Sequence, residues 1–415
     1  MRRRRKRPNY LLIVVLLLLI AIMIYVDRMV LPNIPPPFVP TATATRDPES
    51  FITEAEGFFN EGKLLQAIES YQQAIYAQPD NPGIYTAMAR VQIFAGQYEE
   101  ALASSEYAIL LNPNNSMAHA LRGWALSSQE EYIPAEAAIK RALELDPNNA
   151  IAHAFYAELL ADMYLADVGS YEGVTLAIEE SRVATSLAPD ALETRRSRGY
   201  ILEITDNREE AVNEYLAAIE INANIPDLHL SLGRTYRVLG VLDKAITEFE
   251  IANTLNPSDP LPELYTSRTY ASYGEYAKAA QYAEQAVKDD PTDPYLRGNW
   301  GVMLYHSLEW PPAIEQLSLT VNGGLTEEGL TILPLPISSD SRVAEYYFTY
   351  GLLLARMNQC NEALPVLQLI LATVPTDELA VYNAQEGIRI CEDFLLTPSP
   401  VSSPAPATVT ATPTP

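Results

Sequence analysis

The chain has 415 residues, of which 48% are apolar and 20% are charged, and this composition is ordinary for a folded protein. A single globular core of this length would be too large, whereas a repeat array can grow to it. Six of the 28 basic residues lie at positions 2–7, so 22 bases face 53 acids from residue 27 onwards, an excess of 31 negative charges. Such a polyanion repels nucleic acid, and we therefore expect no binding to DNA or RNA.

The amino terminus combines a basic segment, residues 1–9, with an apolar one. The 17 residues from Tyr10 to Val26 carry no charge, and as a helix they would span about 26 Å. Because Lys and Arg stay in the cytoplasm, this pattern predicts a transmembrane signal-anchor helix at residues 10–26 in the cell membrane, with the remaining chain extracytoplasmic. A cleaved signal peptide is the alternative, but no small-x-small cleavage site follows the apolar stretch.

Two segments rich in proline flank the central part of the chain. Residues 27–47 contain a proline cluster and Thr-Ala repeats, which predict an extended, semi-rigid linker. Residues 397–415 are rich in Ser, Thr and Pro and lack any apolar period, so we expect a disordered tail. Whether this tail carries O-linked glycans is left open.

The central part repeats itself every 34 residues. Pro79, Pro113 and Pro147 are 34 residues apart, and Pro257 and Pro291 have the same spacing. Alanines precede these five prolines by five residues and by twelve residues: Ala74, Ala108, Ala142, Ala252 and Ala286, and Ala67, Ala101, Ala135, Ala245 and Ala279. A fixed period of this length, with small residues at fixed places, predicts one helical hairpin copied many times.

This pattern resembles the tetratricopeptide repeat (TPR), and the amino-terminal segment is similar to that of membrane-anchored bacterial members. The hairpin that ends at Pro257 fits the repeat best, with Gly233, Tyr236, Gly240, Ala245, Phe249 and Ala252. The resemblance covers about three quarters of the chain. It implies an all-α fold, a right-handed α-solenoid of about nine TPR hairpins over residues 48–376, which the predicted transmembrane helix precedes.

The spacing has a physical reason, and two insertions interrupt it. Small residues let the two helices of a hairpin approach closely, and large residues fill the groove to the next hairpin. Extra residues occur near 165–172 and near 321–340, and the second insertion contains β-branched residues, Gly and Pro, which predict a short extended arm. Residues 377–396 have a polar outer side, which is typical of a capping helix.

The chain has two cysteines, Cys360 and Cys391. The first falls at the turn that starts the second helix of the ninth hairpin, and the other falls near the end of the capping helix, so both should lie at the same end of the layer. An extracytoplasmic domain permits disulfides, and we therefore predict a bond between them. Two small buried side chains without a bond are the alternative.

The inner groove is where TPR proteins usually bind their partners. The positions that the family uses for contact, or positions near them, hold six basic or aromatic residues here: Arg196, Tyr200, Arg234, Arg237, Tyr265 and Arg268. Arginine forks suit carboxylates and Tyr adds flat contact area, so this patch predicts a protein or peptide partner of acidic character. The alternative is that these arginines pair with local acids such as Glu203 and Asp227.

The sequence contains no recognisable catalytic or metal-binding motif. No H-E-x-x-H, C-x-x-C, Walker loop or G-x-S-x-G occurs, and the repeated position of His119, His153 and His229 favours a structural role. We therefore predict a non-catalytic, membrane-tethered scaffold without a cofactor. One alternative is an envelope sensor or assembly factor that binds a glycan or small ligand through Tyr295, Trp300 and Tyr305; another is an enzyme with an unrecognised site.

Overall fold

The computed structural model describes residues 10–25, 46–326 and 328–396. Its first helix, α1 (Tyr10–Tyr25), covers all but the last residue of the predicted transmembrane segment. Within these ranges, no helix combines the length and the apolar character that crossing a membrane requires. The predicted basic segment and tail lie outside the described residues, as does the predicted linker apart from Arg46 and Asp47.

The following eighteen helices of the described chain form nine hairpins, each of a first helix and a second helix packed against it. The first helices are α2 (Pro48–Asn60), α4 (Pro82–Phe94), α6 (Ser116–Ser127), α8 (Ala150–Leu165), α10 (Leu192–Ile204), α12 (Pro226–Val238), α14 (Leu261–Ser272), α16 (Pro294–His306) and α18 (Ser341–Arg356). The second helices are α3 (Leu64–Ala77), α5 (Tyr98–Leu111), α7 (Tyr132–Leu145), α9 (Tyr171–Leu187), α11 (Arg208–Ile221), α13 (Leu242–Leu255), α15 (Tyr276–Asp289), α17 (Trp310–Asn322) and α19 (Cys360–Thr373). The final helix, α20 (Glu378–Leu396), packs on the ninth hairpin. The predicted all-α solenoid is thereby confirmed.

Several first helices begin at a polar residue that caps their free backbone N–H groups. The side chains of Asn81, Asn115 and Asn149 each accept a hydrogen bond from an N–H in the first turn of α4, α6 and α8. Each of these asparagines lies two residues after a proline of the 34-residue series, so the proline ends one helix and the asparagine starts the next.

The two helices of each hairpin are joined by a turn that contains a residue with positive φ. Four of the nine described turns use glycine for this purpose: Gly62, Gly96, Gly240 and Gly274. The other five use residues with a side chain: Glu130, Asp167, Asp206, Leu308 and Asn358. A left-handed residue ends the first helix and redirects the chain, and glycine adopts this conformation without steric cost.

Small residues bring the two helices of a hairpin into contact, as the repeat pattern predicts. A Cβ atom on Gly233 would lie 2.5 Å from the Phe249 ring, and one on Gly199 would lie 2.8 Å from the Tyr215 ring. Both aromatic side chains are buried, as is Ala245 on the facing helix. The core therefore lies between first and second helices, in four clusters of buried apolar residues along the described chain.

The two insertions take different forms. The first mostly lengthens its hairpin, since α8 and α9 have 16 and 17 residues and only residues 166–170 join them. The second contains β1 (Gly324–Leu325), which pairs antiparallel with β2 (Thr331–Ile332). This short hairpin corresponds to the predicted arm. Its Ile332 is buried, whereas Leu325 and Leu333 are largely exposed.

Candidate functional site

The predicted partner-binding residues lie on three successive first helices. Arg196 and Tyr200 belong to α10, Arg234 and Arg237 to α12, and Tyr265 and Arg268 to α14. All six side chains are partly buried. Their polar partners differ along the solenoid, and this difference determines which of them remain able to bind another molecule.

Arg196 is the centre of a salt-bridge network. Its Nη1 donates to both carboxylate oxygens of Glu158, at 2.7 and 2.6 Å, and its Nε donates to Oδ2 of Asp227 at 2.6 Å. The guanidinium also lies 5.0 Å from the centroid of the Trp124 ring. Burial raises the pKa of Glu158 to about 7, although Arg196 opposes the rise. Two carboxylates of its own chain thus neutralise Arg196.

Tyr200 and Arg234 also have acidic partners. The Tyr200 hydroxyl donates to Oδ1 of Asp162 at 2.5 Å. Arg234 Nη2 lies 3.5 Å from Oε2 of Glu203 and 3.3 Å from the Ser231 hydroxyl, so its ion pair is long. The Nε atom of Arg234 is buried and has no hydrogen-bond partner. The local pairing that the sequence left open as an alternative therefore occurs for part of the patch.

Arg237 and Arg268 differ, because neither forms a salt bridge with any described residue. Arg237 Nε is buried without a hydrogen-bond partner, and its guanidinium lies 5.7 Å from the centroid of the Tyr265 ring. Arg268 donates only to neutral groups, Oδ1 of Asn299 and the hydroxyl of Tyr346, both at 3.2 Å. These two guanidinium charges are not neutralised by a neighbouring carboxylate.

The surroundings of these two arginines are positive and aromatic. Burial, followed by the charges of Arg268 and Arg342, lowers the pKa of Arg237. The Arg268 guanidinium lies 5.2 Å from the Tyr295 ring centroid. We call the following set the arginine site: Arg237, Arg268, Tyr265, Tyr295 and Tyr346. Such a site can bind an anion through charge-assisted hydrogen bonds, because its positive charges lack a counter-charge.

The arginine site includes residues that the sequence did not indicate as partners of this groove. Tyr346 lies on α18, 78 residues after Arg268, and the insertion between them breaks the 34-residue register. Tyr295 was predicted only for a glycan site. The sequence could have indicated Tyr295 as a groove residue, because it lies at the second position of its hairpin, one of the positions that TPR proteins use for contact.

The three residues of the predicted glycan site have different neighbours. The Tyr295 ring packs edge-on against Tyr346, with the centroids 5.4 Å apart. Trp300 instead lines a cavity of about 700 Å³ between α15, α16, α17 and the β-hairpin. The Tyr305 hydroxyl accepts a hydrogen bond from Arg356 at 2.7 Å. Of the three predicted residues, only Trp300 lines this cavity.

Cys360 and Cys391 form a disulfide, with their Cα atoms 5.5 Å apart. Cys360 is the first residue of α19 and Cys391 lies on α20, and both side chains are buried. The bond therefore joins the ninth hairpin to the final helix at the end of the solenoid.

The histidines at the fourth position of their hairpins have structural partners. The Nε2 atoms of His119, His153 and His229 each lie 2.9–3.0 Å from the carbonyl oxygen six residues earlier, in the turn before the helix. The Nδ1 atoms of His153 and His229 contact the carboxylates of Glu180 and Glu248. Among the described residues, no group of three His, Cys, Asp or Glu side chains is arranged to hold a metal ion.

Comparison with protein families identifies the repeat. A tetratricopeptide repeat model matches residues 58–125, and a second matches residues 118–149 and 197–225. No curated protein matches the chain.

Solved structures that resemble this chain include one of the human IFIT1 dimer with m7Gppp-AAAA. It is 16% identical, with a TM-score of 0.51, over 84% of this chain and 90% of IFIT1. Yeast Tom70 is 13% identical, with a TM-score of 0.40, over 85% of this chain and 97% of Tom70. A tetratricopeptide repeat protein from Parabacteroides merdae is 16% identical, with a TM-score of 0.40, over 62% of this chain and 98% of that protein. The likeness to IFIT1 supports the fold. The family models show that the chain carries tetratricopeptide repeats, and its hairpins repeat the same form beyond the matched residues.

Proposed function

We propose that this protein is a non-catalytic scaffold that binds an acidic protein or peptide segment at the arginine site. Extended concave surfaces are how α-solenoids usually contact their partners. The observation that carries the proposal is the pair Arg237 and Arg268, two charges without a carboxylate in a chain whose net charge is −25. In so acidic a protein, an uncompensated basic cluster is a specific place for an anionic ligand.

The chemistry of the site favours a carboxylate-rich peptide. Guanidinium groups bind carboxylates with directed, charge-assisted hydrogen bonds, and the Tyr rings add flat contact surface. The acidic surface of the rest of the chain would repel such a peptide, so attraction is confined to this part of the groove. For the same reason we propose that nucleic acid is not a ligand, because a long polyanion would meet the acidic surface on every side.

Peptide binding to paired variants tests this site. Arg237→Gln with Arg268→Gln should weaken binding of a fluorescent oligoglutamate peptide by roughly 1.5–3 kcal/mol for each charge-assisted contact that is lost. Lys140→Gln with Arg141→Gln is the matched control, because it removes the same charge from exposed ion pairs on α7. Fluorescence anisotropy at two salt concentrations measures both effects. Equal weakening by the two variants, or no binding by the wild type, would refute an acidic partner at this site.

We further propose that residues 10–26 tether the solenoid to the cell membrane, with the solenoid extracytoplasmic. This proposal rests on the sequence: six basic residues precede an uncharged apolar stretch. A reporter fused to the carboxyl terminus should be active only if it functions outside the cytoplasm. Reporter activity in the cytoplasm, or a mature chain that begins near Met29, would contradict the proposed location.

Glycan or small-ligand binding is a second candidate function, and the cavity beside Trp300 supports it. This cavity of about 700 Å³ is large enough for a small ligand and is lined by both apolar and charged side chains. A glycan array compared between the wild type and Trp300→Ala tests this possibility. Retention of a glycan by the wild type alone would support it, and no retention would remove it.

A further inference from the structure

The first hairpin contacts a turn that lies more than 160 residues later in the sequence. Asn222 Nδ2 donates to the carbonyl of Phe59 at 3.2 Å, and Asn224 Nδ2 donates to the carbonyl of Asn60 at 3.0 Å; the partners are 163 and 164 residues apart. A Cβ atom on Gly62 would lie 2.4 Å from the Cβ of Asn224, so the two turns are in close contact. The first hairpin therefore meets the turn between the fifth and sixth hairpins.

A salt bridge crosses the concave face beside these contacts. Arg90 of α4 pairs with Glu193 of α10, whose side chain is only 3% exposed. The Arg90 guanidinium also lies 4.9 Å from the centroid of the Phe59 ring. We call these contacts the seam; its residues are Phe59, Asn60, Gly62, Arg90, Glu193, Asn222 and Asn224. The seam closes the first six hairpins into a ring.

Packing along the seam is loose. A cavity of about 430 Å³ lies between the first two hairpins and residues 190–193, 221 and 222. Another of about 710 Å³ lies between residues 62–66 and residues 255–258. These clefts leave gaps between the two sides of the seam, so apolar packing across it is interrupted. The polar contacts that hold the seam are hydrogen bonds and one ion pair.

The larger of these two cavities adjoins an inner cavity, because Phe94 and Pro226 line both. A space of about 310 Å³ is lined on one side by Phe94 and Tyr98 of the second hairpin and on the other by Asp227 and Asp259. Trp124 and Arg196 form part of its wall. In the closed ring, the network around Arg196 is therefore covered by the second hairpin.

We propose that the seam is a polar latch, which opens reversibly and gives access to the inner cavity beside Arg196. Opening exchanges hydrogen bonds within the protein for hydrogen bonds to water, and this exchange has a modest net cost. It leaves no side chain buried without a partner, because both sides of the seam become solvated together. Hairpins within each half remain stacked, since each contacts mainly its neighbours.

The latch depends on the side-chain amide of Asn222, and two other hairpins have an aspartate at the equivalent position. Asn222 Oδ1 accepts from the backbone N–H of Asn224, and Asp146 and Asp290 make the same bond at the corresponding place in their hairpins. An aspartate therefore supports this turn equally well. The Asn222 amide group adds the donor that reaches the Phe59 carbonyl.

This difference supplies variants that change the latch and preserve the turn. Asn222→Asp with Asn224→Asp places carboxylates against the Phe59 and Asn60 carbonyls and removes both donors. Asn112→Asp is the matched control, because Asn112 makes the same turn bond in the second hairpin. The two native cysteines are in a disulfide, so cysteines introduced for spin labels can be modified selectively.

Pulsed electron paramagnetic resonance measures the opening in the full chain. Labels at Leu65→Cys and Ser258→Cys face each other across the seam, since both positions are exposed and line the same cavity. Labels at Leu65→Cys and Glu99→Cys occupy equivalent, exposed places in adjacent hairpins and report stacking alone. We expect a short seam distance in the wild type, with a minor longer population that grows modestly with salt, because the Arg90 side chain is 38% exposed and its ion pair with Glu193 is partly screened.

In the Asn222→Asp, Asn224→Asp variant the longer seam distance should dominate, with the Leu65–Glu99 distance unchanged. Asn112→Asp should behave as the wild type. Three results would overturn the latch: a long seam distance in the wild type, one short distance at every salt concentration, or an unchanged distance in the double variant. If the double variant loses the stacking distance, and thus the fold, Asn224→Asp alone is measured against the same criteria.

Discussion

Glu263 occupies a position at which other hairpins form a repeated hydrogen bond from a side chain to the backbone, but it cannot form this bond. At the fourth position of five hairpins a basic side chain donates to the carbonyl six residues earlier: His119, His153, Arg195, His229 and Arg297. In the seventh hairpin this position holds Glu263, which is 3% exposed and has an oxygen, Oε2, without a hydrogen-bond partner. A carboxylate cannot donate to a carbonyl, so this buried acid is stabilised by a proton.

The stability of the protein should therefore depend on pH through Glu263. Burial, followed by the charges of Asp289 and Asp259, raises its pKa from 4.5 to about 7. Between these two values the folded state holds a proton that the unfolded state has lost, so the free energy of unfolding falls as pH rises through this window. The loss is at most about 3 kcal/mol at one pKa unit per 1.36 kcal/mol.

Two substitutions check this prediction by urea unfolding between pH 4 and pH 8. Glu263→Gln should remove the loss of stability above pH 5, because its amide cannot ionise. Glu263→His should also restore the donor found in neighbouring hairpins. Glu275→Gln, an exposed change in the same hairpin, serves as the control and should keep the wild-type profile. A Glu263→Gln profile that follows the wild type would show that Glu263 is ionised in the folded protein.

At the scale of one hairpin, close helix contact can be tested with two glycines. Gly233→Ala places a Cβ 2.5 Å from the buried Phe249 ring, so it should destabilise the protein by roughly 1–3 kcal/mol through overpacking. Gly57 lies within α2 and a Cβ there meets nothing within 4 Å, so Gly57→Ala should stabilise by about 0.5–1 kcal/mol. Thermal unfolding of both variants measures these effects. The prediction requires the two substitutions to change the free energy of unfolding in opposite directions. If Gly233→Ala left the stability unchanged, helices α12 and α13 would be able to move apart to make room for the Cβ.

The disulfide gives a second prediction at this scale. Reduction, or Cys360→Ser with Cys391→Ser, opens a loop with a sequence separation of 31, which corresponds to roughly 3–4 kcal/mol in the chain-entropy model. Because solenoid stability is local, hydrogen exchange should accelerate first in α20 and α19. The first hairpin provides an internal control with unchanged exchange. Acceleration spread evenly over all hairpins would indicate one cooperative unit instead.

At the scale of the whole molecule, the repeat period predicted the hairpins because each depends on local signals. Small residues, turn residues and helix ends recur every 34 residues, so the sequence specified nine hairpins and a final helix. The groove residues also followed from repeat position, since α10, α12 and α14 present them in order. Pairing of Arg196 with Asp227 was foreseeable as the local alternative, because the two lie at contact positions on adjacent first helices.

Contacts between distant hairpins could not be predicted in this way. Small rotations between successive hairpins accumulate along a solenoid, and no single residue encodes their sum. The proximity of Asn222 to Phe59 follows from that sum, as does the arrival of Tyr346 beside Arg268 after the insertion. The arginine site therefore became clear only from the structure, which separated paired arginines from unpaired ones.

Ring closure also has a consequence for synthesis on the ribosome. Phe59 and Asn60 are made 163 and 164 residues before the asparagines that contact them. At translation rates of roughly 5–20 residues per second, this interval lasts about 8 to 33 seconds. Throughout it, the nascent amino-terminal hairpins stack as an open arc whose Phe59 and Asn60 carbonyls face solvent or a chaperone. The ring thus adds one late, long-range event to a fold that otherwise assembles from neighbouring contacts as the chain emerges.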